Sequence, residues 1–152
     1  MFSKKSYYPE NRRFPPGIEY LKIVYIYMNN IQKRFLLFLI GCIGLRTLFV
    51  FVAKNSSTTY LRYLGYLALL PAFGFAYIYL TGTRKTGQEV FGEKIWWNDL
   101  RPLHSLLYFL FAYNAITGNK NSWVYLLIDV IIGVVSFLIF HYNNNDFAKL
   151  FI

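Results

Sequence analysis

Two ionisable side chains interrupt long apolar runs: Arg46, in the run Phe35–Ala53, and Asp129, in the run Trp123–His141. A charge at the centre of a bilayer costs roughly 2.5–3.5 kcal/mol even on the gentlest scale, so a membrane chain keeps one for pairing, for conduction or for contact with a partner. On helical spacing Asp129 shares a face with Ser122, Tyr125, Gly133 and Ser136, and Arg46 shares one with Cys42. A second polar group, Asp99, Arg101, His104 and Tyr108, falls where a polar turn becomes an apolar run. Asp99 or Asn98 is placed to cap a helix there, with Pro102 in its first turn. Arg101, His104 and Tyr108 then recur at three- and four-residue spacing on one face. At that depth His104 can bind a lipid phosphate together with Arg101, titrate near neutral pH, or hydrogen-bond a neighbouring helix.

Signatures of common soluble active sites are missing. The sequence has no Gly-rich phosphate loop, no histidines at metal-ligand spacing, no Gly-flanked nucleophilic Ser and no acidic calcium loop. No catalytic residue, metal site or cofactor is therefore expected. The single Cys42 can form no internal disulfide and reads as a small buried hydrophobe.

The elements that must carry these residues follow from composition. Of 152 residues, 56% are hydrophobic and only 15% charged, against about 25% charged in soluble domains. Residues 1–17 read as a basic arm without apolar periodicity, and 18–34 as an amphipathic helix at the interface. Residues 35–152 hold four apolar segments, near 35–53, 60–80, 100–117 and 123–141, and a short tail. Each is about the length needed to cross roughly 30 Å of hydrocarbon. The expected fold class is an all-α membrane protein, a bundle of four transmembrane helices preceded by an amphipathic interfacial helix. Short connections are expected to leave sequential spans adjacent and antiparallel. In the second span Ala68, Ala72 and Ala76 form a small-residue stripe for close packing, within the monomer or in a homo-oligomer, and Pro71 is expected to kink the helix.

Charge fixes the orientation of this arrangement. With four spans, twelve Lys and Arg fall on one side and three on the other, Arg46 completing the sixteen. The basic side is cytoplasmic by the positive-inside rule, which puts both termini and the connection 81–99 there. Arg46 then lies roughly 10 Å below the outer face and Asp129 roughly 9 Å, so the two can pair across antiparallel spans. His104 enters from the inner face and is expected more than about 10 Å from Asp129.

The block from Tyr66 to His141, especially Thr83-Arg84-Lys85-Thr86-Gly87 and Ile95-Trp96-Trp97-Asn98-Asp99-Leu100-Arg101-Pro102-Leu103-His104, resembles small multispan membrane proteins of unassigned function encoded by large DNA viruses of algae and protists. The resemblance implies a host or virion membrane and carries no site residue with it. The function expected is that of a non-enzymatic structural or interaction protein of the membrane, whose basic cytoplasmic face binds a protein partner or anionic lipid. The net charge of +9 is absorbed by topology and lipid, so nucleic acid is not expected as a partner. Two alternatives stay open: a small ion or proton channel using Arg46, Asp129 and His104, and an intramembrane lipid enzyme using Asp99, Arg101 and His104.

Overall fold

A computed structural model describes residues 28–87 and 94–151. The arm 1–17 and residues 18–27 of the expected interfacial helix lie outside the described residues. Four helices carry the fold: α1, Asn30–Asn55; α2, Thr58–Thr81; α3, Arg101–Ile116; and α4, Trp123–Asn143. Turns of 3₁₀ helix lead into α3 at Trp96–Leu100 and into α4 at Lys120–Ser122, and another follows α4 at Ala148–Phe151. The described residues contain no strand, only an isolated bridge between Thr86 and Lys94 in the α2–α3 connection.

Three of these segments, Asn30–Asn55, Thr58–Thr81 and Lys120–Asn143, are long and apolar enough to cross a bilayer. Their outward side chains include Ile40, Phe51 and Leu70, each at least 66% exposed. Apolar surface on that scale suits lipid rather than water. With 16 residues, α3 is shorter than the other three.

Local chemistry explains where the helices start and stop. At the head of α1, Asn29 accepts the Gln32 N–H at 2.8 Å while the Gln32 side chain accepts the Asn29 N–H at 2.9 Å, a reciprocal capping box. Asn29 is extended, with φ −72° and ψ 166°, so a helix over 18–34 cannot run through it; Asn30–Arg34 instead form the first turns of α1. Between Leu37 and Gly44, α1 widens into a π helix, a form concentrated at functional sites. Gly82, in the left-handed region at φ 61°, closes α2, which continues through Pro71.

The helices pack in the order α2, α3, α4, α1. Although α1 and α2 are joined by a two-residue turn, they touch only weakly, contrary to the adjacency expected from their short connection. An open groove of about 300 Å³ separates them instead, with Arg46 and Tyr108 in its lining. The α2–α3 pair is the closest. Ala68 and Ala72 are completely buried, and Ala76 is partly buried. Between these helices the Ser105 hydroxyl donates to the Ala72 carbonyl at 2.7 Å. Ala68 and Ala72 are thus covered by this chain's own helices.

Candidate functional site

Arg46, Asp129 and His104 meet in the middle of the bundle, one from each of α1, α4 and α3. Arg46 Nη1 donates to Asp129 Oδ2 at 3.0 Å, and His104 Nδ1 lies 2.5 Å from Asp129 Oδ1. Asp129 is completely buried and His104 nearly so. From α2 comes Phe75, whose ring lies 5.4 Å from the Arg46 guanidinium and 5.9 Å from the His104 ring. One turn beyond Asp129, Gly133 leaves space for α1: a Cβ there would lie 3.1 Å from Ile43 Cδ1 and 3.9 Å from Arg46 Nη1.

The three side chains share their contacts closely. Arg46 Nη1 also approaches His104 Nδ1 at 3.1 Å, and a guanidinium can only donate. His104 Nδ1 faces Asp129 Oδ1, which leaves Oδ2 for Arg46. Arg46 and Asp129 bring opposite charges together at 3.0 Å, the condition under which a buried charge persists. The carboxylate holds the imidazole in its orientation.

His104 is therefore a close partner of Asp129, against the separation of more than about 10 Å inferred from depth. That inference measured the two residues from opposite faces of the membrane. Counted from their shared hairpin, His104 precedes Ile116 by 116 − 104 = 12 residues and Asp129 follows Lys120 by 129 − 120 = 9. The difference of three residues is about 4.5 Å along a helix, a gap that two side chains can close.

The expected group of Asp99, Arg101, His104 and Tyr108 is divided. Asp99 is exposed and accepts a long 3.4 Å bond from Asn98. Arg101 is buried, and its Nη1 donates to the Arg84 carbonyl at 3.0 Å and to Asn98 Oδ1 at 2.6 Å, tying the α2–α3 connection to the head of α3. Neither Asn98 nor Asp99 caps α3: the 3₁₀ turn brings the chain into the helix through Leu100, with no side-chain cap. Tyr108 packs beside Phe49 and Phe75, next to the central cluster.

A second carboxylate–histidine pair lies at the end of α4 and was not among the expected site residues. His141 Nδ1 is 2.7 Å from Asp146 Oδ2, and Lys149 Nζ donates to Asp146 Oδ1 at 2.7 Å. Asn145, in the left-handed region at φ 54°, turns the chain back so that the Asp146 N–H reaches the His141 carbonyl at 3.0 Å. The run Asn143-Asn144-Asn145-Asp146 was the available signal, since Asn tolerates that conformation better than other non-Gly residues. Burial pushes the Asp146 carboxyl up, but its bonds to Lys149 and His141 outweigh this and hold it below the ordinary value of 3.8. Stability from this lowered group is complete above 3.8 and is lost as pH falls through the lower folded value. Acidification should accordingly free the turn after α4, raising amide exchange at 146–150, and Asp146→Asn should remove that pH dependence; identical acid profiles for the two proteins would count against it.

Around this pair opens a cavity of about 340 Å³, between the first turns of α1, the last turns of α4 and the Trp96–Trp97 turn. Its lining combines Arg34, Lys94 and Lys149 with aromatic rings, among which Trp96 stacks on Phe140 at 4.7 Å and Phe38 on Phe137 at 4.7 Å. Phe38, Cys42, Trp96 and Trp97 also line a pocket of about 30 Å³ that reaches Arg46 and His104, space for a single water. Cys42 is exposed, not buried as its apolar setting suggested. Among the described residues no group of three or more His, Cys, Asp or Glu could hold a metal ion. No protein-family model, curated protein or solved structure matches the chain.

Proposed function

We propose that this chain is a four-span membrane protein with both ends in the cytoplasm, and that it acts without catalysis, binding a protein partner or anionic lipid through its basic cytoplasmic end. The observation that carries the reading is the complete burial of Asp129, with both carboxylate oxygens engaged by Arg46 and His104. The intramembrane charges are consumed in holding α1, α3 and α4 together, which leaves the basic end as the charged surface open to partners. Crossing by α3 is supported by length: 16 α-helical residues and the five of the 3₁₀ turn extend roughly 24 Å and 10 Å, together enough for the hydrocarbon. The viral resemblance would place the protein in a host or virion membrane.

Protease added to sealed vesicles with their cytoplasmic face outward is expected to cut within 1–17 and 81–99 and to spare 54–59. Protection of 1–17 would reverse the topology, and protection of 1–17 with cleavage at 81–99 would mean an odd number of spans before that connection. A proton path is the second reading, favoured by the water-sized pocket that has Phe38, Cys42, Trp96 and Trp97 in common with the larger cavity and is lined by Arg46 and His104. Proton flux in reconstituted liposomes that is abolished by Asp129→Asn would replace the first reading with this one.

A further inference from the structure

We propose that the cavity at the start of α1 and the end of α4 holds the phosphate of one anionic phospholipid, with an acyl chain laid along its aromatic wall. The inference rests on the reading that this end is cytoplasmic and attracts anionic lipid, and it names the site and the ligand. Among the described residues that line the cavity, Arg34, Lys94 and Lys149 are basic and Asp146 alone is acidic. Asp146 is already matched by Lys149 and His141, so the lining favours an anion. Basic pockets between spans on the cytoplasmic side take lipid head groups by this complementarity.

The other half of the lining decides between a lipid and a soluble anion. A free phosphate has no use for a wall of indole and phenyl rings, whereas a lipid must place its chain next to its head group. Trp96 and Trp97 sit at that boundary, as interfacial Trp residues do. Beside the cavity, Leu37, Leu39 and Ile40 on α1 are exposed, which gives a chain an apolar way out along the helix. The volume of about 340 Å³ lies at the lower end of the range for small-ligand sites. That suits a head group and the first methylenes of a chain rather than a whole lipid.

The test uses the full chain in phosphatidylcholine nanodiscs that contain a minor fraction of phosphatidic acid with a photoreactive acyl chain. Crosslinks are expected on the peptides around Trp96–Trp97 and Phe140–His141. Each of Arg34→Gln and Lys94→Gln should reduce this labelling about fivefold, the effect of roughly one lost charge contact. Trp96→Ala should reduce it with no change of charge, which separates chain contact from a general loss of basicity. Excess inorganic phosphate should leave the labelling intact. Equal labelling by a photoreactive phosphatidylcholine, or full competition by inorganic phosphate, would overturn the lipid site. Selectivity for spin-labelled anionic lipid is measured on the same samples. If it persists while the cavity stays unlabelled, the site fails and the broader reading stands; if both are missing, anionic lipid is excluded from that reading as well.

Discussion

Asp129→Ala should lower the stability of the folded protein by about 3–5 kcal/mol, by analogy with buried pairs broken on one side. The substitution leaves the Arg46 guanidinium without its carboxylate and the His104 imidazole without its acceptor. Arg46→Ala should cost a comparable amount, because the buried carboxylate then loses its guanidinium partner. His104→Ala should cost less, about 1–3 kcal/mol for one unsatisfied buried oxygen. The decisive measurement is the double mutant Arg46→Ala/Asp129→Ala, followed by unfolding in detergent or lipid. Its loss should fall short of the sum of the two single losses by about 0.5–3 kcal/mol, the range for residues in direct contact. Exchanging the two residues should recover part of the folded yield. Strict additivity with no recovery on exchange would remove the pair from the account of stability.

Gly65→Val should have the next largest effect, about 1–3 kcal/mol of overpacking. A Cβ at this position would come within 3.0 Å of the Ala112 carbonyl oxygen, Ala115 Cβ and Ile116 Cγ1. A backbone oxygen and a Cβ cannot rotate away, so α2 would have to move off α3. Such a shift would also disturb the bond from Ser105 to the Ala72 carbonyl. Gly74 lies on the same helix, where a Cβ would meet nothing within 4 Å, and Gly74→Ala should leave stability unchanged or slightly raised. A thermal scan of both variants is sufficient. Equal melting temperatures for Gly65→Val and the parent would mean that α2 and α3 do not approach this closely.

The apolar runs made α1, α2 and α4 readable because lipid demands an apolar surface on nearly every side of a helix, and little else produces runs of that length. The ion pair was also within reach, since the four-span reading puts Arg46 and Asp129 at similar depths in antiparallel spans, and the two side chains do meet. His104 was misjudged for a physical reason. Depth was counted from opposite membrane faces through span ends placed from hydropathy alone, whereas the short hairpin between α3 and α4 sets the register of His104 and Asp129 directly. The pair His141–Asp146 escaped because it depends on a reversal of the chain at Asn145, and hydropathy is silent about backbone reversals. Likewise nothing in the apolar run Leu37–Gly44 distinguishes a π helix from an α helix, although that widened turn carries Phe38 and Cys42 toward the Trp96–Trp97 turn.

Arg46 and Asp129 are separated by 83 residues, and a ribosome adding roughly 5–20 residues per second needs roughly 4–17 s to make that interval. On the proposed four-span topology, α1 resides for those seconds in or beside the bilayer with a cation whose counter-ion has yet to be synthesised. The α2–α3 pair, held together by small residues and one hydroxyl, can form before α4 emerges. In contrast α1 cannot complete its contact with α4 until Asp129 has been made. The bond from Asn29 Nδ2 to the Lys149 carbonyl waits longer still. Early α1 is thus a natural client for insertion machinery that shelters a charged span, and any chain terminated before Asp129 would expose that span to membrane quality control.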